Sequence, residues 1–181
     1  MRLARAAVEA SSERWLSAIW KWVPPNYYDL TLEDQRQALG AYSMTQMCKS
    51  FLVENRSCKK LDCSDRTNSR FYLLVIRHDA VIDNLKLALE IRSLRPPGPG
   101  RLGPSQFDFQ VVDDTRTVTP FGMKDGTVPV VLAKDVVTEM SKPKFIWMGG
   151  GHEHVKLGMA LDEFLKGTDA IVADVTGRQG R

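Results

Sequence analysis

Long apolar runs are missing from this chain of 181 residues. No stretch reaches the roughly 18 apolar residues of a membrane-spanning helix, so no membrane association is expected. The start also lacks the uninterrupted apolar core of a secretory signal. Cysteine is scarce, with only Cys48, Cys58 and Cys63. An odd count without regular spacing argues against a disulfide framework, and the reducing cytoplasm is the expected location. Excess charge is small as well, at +3, too little by itself to require a nucleic-acid partner. Several signatures are absent. Without G-x-G-x-x-G or G-x-x-x-x-G-K-[ST], dinucleotide and P-loop nucleotide binding have no support. Without H-E-x-x-H or G-x-S-x-G, the zincin and nucleophile-elbow hydrolase readings have none. No internal repeat is visible, and no cofactor is expected.

What is present is ordinary globular material, 43% apolar and 26% charged. The length suits one domain, able to bury roughly 70% of its unfolded surface. The charge is unevenly spread. Residues 51–105 hold ten Lys/Arg against six Asp/Glu, and residues 106–181 hold nine against eleven. A basic middle suits a phosphate-rich ligand. The run Arg56, Lys59, Lys60, Arg66, Arg70 also reads as a solvated loop.

Residues 3–22 carry Leu3, Ala7, Val8, Trp15, Leu16, Ile19 and Trp20 at helical spacing, closed by Pro24-Pro25. We expect residues 1–23 to be a helical extension, 24–176 the domain, and 177–181 a disordered tail. Arg2, Arg5 and Arg14 give the extension the broad look of a mitochondrial transit peptide. Glu9 and Glu13 count against that, and mitochondrial targeting stays open as an alternative. A helix follows over 32–39, with Thr31 and Asp34 as its capping pair and Gly40 as its stop. A helical turn falls near 43–48.

Strands then dominate. Residues 49–53 read as one, and Phe71–Ile76 as a central strand buried on both faces. Asp83 caps a helix to about Leu94. Residues 95–105 form a Pro/Gly-rich loop, and Phe107, Phe109 and Val111 alternate as a strand. Val128–Leu132 is a strand in which Pro129 marks an edge or a start. Phe145–Met148 is another, stopped by Gly149-Gly150-Gly151. A short helix over 161–166 and a strand over 170–175 close the chain. This mixture predicts a single α+β domain with a mixed, curved β-sheet flanked by helices.

Four constellations can carry chemistry. Lys49 opens an apolar strand, where its stem packs while its ammonium reaches a cleft to hold a phosphate or a developing oxyanion. The alternative is a strand-end lysine facing water. Thr119-Pro120-Phe121-Gly122 can aim backbone N–H groups at a carbonyl, or be a plain turn. Gly149-Gly150-Gly151 can form an anion-binding nest, or a flexible turn. His152-Glu153-His154 puts two histidines on one side of an extended strand, a partial zinc site needing Asp162 or a cysteine, or simply exposed polar residues. Cys48 beside Lys49 is a weaker candidate, a thiol with a lowered pKa. His78 reads as a surface or capped histidine.

The order of these segments resembles the YbaK / prolyl-tRNA synthetase-associated family across roughly residues 23–175. The likeness rests on Met47–Val53, on Val118–Met123 followed by Val128–Leu132, and on Phe145–Gly151 followed by Leu157–Met159. The flanks Val23–Asp29 and Asp62–Arg66 resemble a eukaryotic branch. The resemblance implies metal-independent hydrolysis of mischarged aminoacyl-tRNA, acting on the acceptor end, often of proline tRNA, with prolyl-tRNA synthetase as a further partner. It puts the family's lysine on Lys49 and its backbone-lined substrate pocket on Thr119, Pro120, Phe121, Gly122, Gly149, Gly150, Gly151 and His152. Two departures stand out. Arg116 occupies a position that is glycine in many relatives, and Val111–Arg116 is short for the helical segment found there. Either would change the amino acid accepted or leave a non-catalytic tRNA- or synthetase-binding module.

Overall fold

Residues 15–60, 62–112 and 128–177 are described by a computed structural model. Residues 3–14 of the helix expected over 3–22, the loop bearing Arg116, Thr119, Pro120, Phe121 and Gly122, and residues 178–181 of the expected tail lie outside the described residues.

The apolar run beginning at Phe71 builds the centre. Strand β3 (Phe71–Arg77) has β2 (Cys48–Asn55) antiparallel on one side and β6 (Val130–Ala133) parallel on the other. Edge strand β5 (Phe109–Val111) pairs with β2, and β9 (Ile171–Ala173) runs parallel to β6. The five-stranded order β5-β2-β3-β6-β9 is therefore mixed. Tyr72 to Ile76 are all buried, as a strand covered on both faces must be. Each such Leu or Ile contributes about 1.5–3 kcal/mol relative to exposure.

Three antiparallel strands stand beside this sheet in the order β1 (Ile19–Trp22), β8 (Val155–Ala160), β7 (Phe145–His152). A parallel bridge between Met47 and Trp147 joins β7 to the entry of β2. A short pair, β4 (Val81–Ile82) with β10 (Thr176–Gly177), closes the chain's C-terminal end, so Gly177 is paired with Val81 rather than part of a tail.

Among the described residues there are four α-helices. Helix α1 (Leu32–Leu39) begins at Thr31, whose hydroxyl accepts from the Asp34 N–H at 3.2 Å, and ends at Gly40 with φ +72°. Helix α2 (Asn84–Ser93) is capped by Asp83, whose carboxylate accepts from the N–H groups of Leu85 and Lys86. Helices α3 (Lys134–Thr138) and α4 (Leu161–Thr168) follow β6 and β8. The main core lies on the five-stranded sheet. A second apolar cluster of Val23, Tyr27, Leu39, Ala41, Met47 and Trp147 seats α1 against β7. The result is the single α+β domain with a mixed sheet that the sequence predicts.

Two local expectations are corrected, and one left open is decided. Ile19–Trp22 is a strand, not the end of a helix, because pairing Ile19↔Gly158 through Trp22↔Val155 covers the open edge of β8. Just before it, Trp15 is buried against Gly167, and Glu163 accepts from the Leu16 and Ser17 N–H groups and the Ser17 hydroxyl. Of the two roles open to Pro129 the structure takes the second: it marks the start of β6, an interior strand, and its carbonyl accepts from Leu73 N–H at 3.0 Å. The three glycines do not stop β7. The strand runs on to His152, with a register shift between Gly149 and His152.

Candidate functional site

Lys49 lies one residue into β2, half-buried, with Nζ 5.6 Å from the centre of the Phe51 ring. Its surroundings follow from strand register. Met47 makes an isolated parallel bridge to Trp147, so Lys49, two residues on, lies on the Met47 face of β2 at about the level of Gly149. Gly149 pairs with Lys156, and Lys156 pairs with Lys21. One paired rung thus crosses three strands as Gly149, Lys156, Lys21, and Lys49 on the adjoining β2 lies at its level. Residues opposite one another share a face, which here is the face toward Tyr27, Met47 and Trp147. Paired strands are about 4.8 Å apart, so the Gly149 and Lys156 backbones are separated by that spacing, with Lys49 on the other side of Gly149. Gly149 between them is exposed, and a Cβ there would meet no atom within 4 Å. The rung is open above its glycine.

Lys156 is fixed by aromatics. Its ammonium donates to the Tyr28 hydroxyl at 2.9 Å and lies 4.8 and 4.5 Å from the Tyr27 and Tyr28 ring centres. Burial pushes the Tyr27 phenol up to about 12, with Tyr28 adding to the rise. His78 completes the group. It follows β3, its N–H donates to the Met47 carbonyl at 2.9 Å, and by alternation from Ile76, the partner of Lys49, it shares the Lys49 face. Half-burial holds its imidazole below the ordinary value, and the Lys49 and Lys156 ammoniums lower it further, against an upward pull from Asp79. A histidine kept neutral between two cations can accept a hydrogen bond or a proton.

Among the described residues, no carboxylate pairs with Lys21, Lys49 or Lys156. The basic loop behaves differently. Lys60 pairs with Asp65 at 2.7 Å, Arg70 with Glu54 at 3.0 Å, and Arg66 with Asp169. Arg95, from beyond the loop, also meets Asp65 at 2.7 Å. Burial opposes the Asp65 carboxylate, yet bonds from Lys60 and Thr67 hold it well below the carboxylate range. Much of that run is therefore neutralised within the fold, whereas the lysines of the rung are not; among the described residues Arg56, Lys59, Lys134, Lys142, Lys144 and Lys166 are also exposed without an ion pair.

The structure brings Lys49 and Gly149 together, and it gives the other glycines separate roles. Gly150 is buried, and a Cβ there would lie 2.7 Å from Val155 Cγ1 and 2.8 Å from the Val155 carbonyl oxygen. Its backbone is pressed onto β8. Gly151 lies within the same irregular stretch of β7. His152 ends β7 at the hairpin tip, where its ring neighbours Trp22 at 6.1 Å and His154 at 5.5 Å, and its Nδ1 accepts from the His154 N–H. Among the described residues, no three His, Cys, Asp or Glu are grouped to hold a metal ion. Cys48 is no nucleophile, since burial pushes its thiol up to about 12, with Asp135 adding to the rise. Val112 before the Pro–Gly loop and Pro129 after it meet one level of the sheet. The Val112 N–H donates to Leu52, the register partner of Leu73, which in turn donates to Pro129.

Reading the sequence does not single out Lys21, Lys156 or Tyr28, and it gives His78 only a surface role. The available signal is the alternation of Val155, Leu157 and Met159 with Lys156, which marks a strand with its lysine on the opposite face. An open groove of about 600 Å³ between Trp15–Ser17 and α4 shares no residue with the rung. No described helix is long and apolar enough to cross a membrane.

No protein-family model matches the chain, and no curated protein matches it in sequence. Solved structures do. A candidate trans-editing enzyme for prolyl-tRNA synthetase superposes with a TM-score of 0.68 at 18% identity, covering 98% of each chain. A scaffold protein from computational grafting of linear epitopes gives 0.63 at 18% identity, over 98% of this chain and 97% of that one. A hypothetical protein gives 0.59 at 19% identity, over 94% and 99%. The chain shares their fold.

Proposed function

We propose that this chain is an editing deacylase of the YbaK / prolyl-tRNA synthetase-associated type, of the eukaryotic branch. It hydrolyses the ester of mischarged aminoacyl-tRNA, acting on proline tRNA in the cytoplasm. The likeness in fold to a candidate trans-editing enzyme supports the reading. The observation that carries it is an unneutralised cationic rung beside an exposed glycine, a surface suited to the phosphate and ester of an acceptor end.

In this reading Lys49 holds the phosphate or sugar of the terminal nucleotide. Backbone N–H groups of the Pro120–Gly122 loop and of Gly149-Gly150-Gly151 polarise the ester carbonyl. Water attacks the carbonyl carbon, oriented by the free hydroxyl of the terminal ribose. The new C–O bond forms as the ester C–O bond breaks, and a water proton passes to the departing ribose oxygen. The products are free amino acid and uncharged tRNA, and no side-chain nucleophile or metal is required.

The departures at Arg116 and Val111–Arg116 favour a second reading, a tRNA- or synthetase-binding module without turnover. Single-turnover incubation with proline tRNA charged with alanine or cysteine separates the two. Ester loss above the spontaneous rate supports the deacylase, whereas bound but intact aminoacyl-tRNA supports the module.

A further inference from the structure

The rung holds more positive charge than Lys49 supplies. Lys21 and Lys156 stand directly opposite each other on β1 and β8. Like charges in that position destabilise a strand pair. Neither has a carboxylate partner among the described residues, although the same chain neutralises Lys60, Arg66 and Arg70. Lys156 is held by Tyr28, and Tyr28 itself is 59% exposed. The Lys21 ammonium lies 3.8 Å from where a Cβ on Gly40 would sit, against the carbonyl end of α1 that steadies a cation. Both ammoniums are thus fixed on the face that carries Lys49, on the far side of Gly149.

We propose that Lys21 and Lys156 form a second phosphate site, for a phosphodiester of a single-stranded RNA end, with Tyr28 offering its ring to a base. This rests on the editing reading for the identity of the RNA, but not for the binding itself. Paired ammoniums suit a phosphodiester, an exposed ring beside them suits an unstacked base, and the open glycine separates this site from Lys49. A single strand crossing the rung would place one phosphate on the Lys21–Lys156 pair and its terminal nucleotide toward Lys49.

The test is fluorescence anisotropy with a short fluorescein-labelled single-stranded RNA ending in C-C-A, titrated at several salt concentrations. Lys21→Gln and Lys156→Gln are each expected to reduce the slope of log K against log salt by about 0.7, and together by about 1.4. Lys60→Gln, in the neutralised loop, is expected to leave the slope unchanged. Tyr28→Phe should bind like the parent, and Tyr28→Ala about tenfold more weakly. An unchanged slope in the double variant overturns the proposal, as does an equal loss in Lys60→Gln. Thermal unfolding separates structure from binding. Lys21→Gln should stay within about 3 °C of the parent Tm, because relief of the cross-strand repulsion offsets the lost helix-end contact, and a collapse in Tm would make Lys21 structural and refute the site. If the slopes fall but no ester is hydrolysed, the editing reading fails and this site stands. If Lys49→Ala abolishes hydrolysis while the slopes hold, only this site fails.

Discussion

Two adjacent glycines should respond to alanine in opposite ways. A methyl on Gly150 would lie 2.7 Å from Val155 Cγ1 and 2.8 Å from the Val155 carbonyl oxygen. The valine methyl can rotate away, but the carbonyl belongs to β8 and moves only with the strand. Overpacking of this kind costs about 1–3 kcal/mol. At about 2–4 °C per kcal/mol for a domain of this size, Gly150→Ala should lower Tm by about 2–12 °C. Gly149 has no positive φ, and its methyl would enter open space. Gly149→Ala should therefore raise stability by about 0.4–1 kcal/mol, through the lost freedom of the unfolded chain. The same methyl would occupy the space beside Lys49, so deacylation should fall in this more stable variant. Differential scanning fluorimetry and single-turnover hydrolysis on both variants read the two effects. Equal destabilisation by both substitutions, or a neutral Gly150→Ala, would refute the assignment of one glycine to packing and the other to the site.

Two further outcomes follow from the electrostatics. His78 should titrate below its ordinary 6.5 in an NMR pH series, and Lys49→Ala and Lys156→Ala should each raise its midpoint. Because the folded value is the lower one, the unfolded chain binds the extra proton. Stability is then complete above about pH 6.5 and declines as pH falls through the folded value, and His78→Gln should flatten that decline. A midpoint that neither lysine variant moves would separate His78 from the rung. Glu163→Gln weakens charge-assisted bonds to Leu16 and Ser17, at a surface where such bonds are worth about 1 kcal/mol. The Glu163 carboxyl is held below its ordinary 4.5, chiefly by the Ser17 hydroxyl, so its contribution is full above pH 4.5 and fades as pH falls through the folded value. Urea titrations at pH 7 and pH 3 should show parent and variant converging at the lower pH. A constant difference would contradict this.

Much of the fold was legible where local signals and tertiary demands agree. The Phe71–Ile76 run, the Thr31 and Asp83 caps and Gly40 each need one backbone state, and each adopts it. Ile19–Trp22 was not legible, because helical spacing in IWKW is indistinguishable from a strand until β8 provides a partner edge. Gly149–Gly151 looked like a stop because a β-bulge leaves no sequence mark distinct from a turn. For the site, Lys49 and Gly149 were legible as types of residue in types of place. Lys21, Lys156 and His78 were not, since their relevance comes from register across strands distant in sequence. Cys48 shows the opposite limit. Adjacency to Lys49 suggests an activated thiol, but alternation sends the two side chains to opposite faces, and burial governs the thiol.

The central claim is that this rung serves ester hydrolysis on mischarged tRNA, with Lys49 in contact with substrate. Single-turnover deacylation of proline tRNA carrying alanine or cysteine, comparing the parent with Lys49→Ala, tests it most directly. We expect rapid release of the amino acid by the parent and a loss of about 10²- to 10³-fold in the variant, with its thermal stability preserved. Hydrolysis by the parent that survives intact in Lys49→Ala, or no hydrolysis of either ester, would contradict the account.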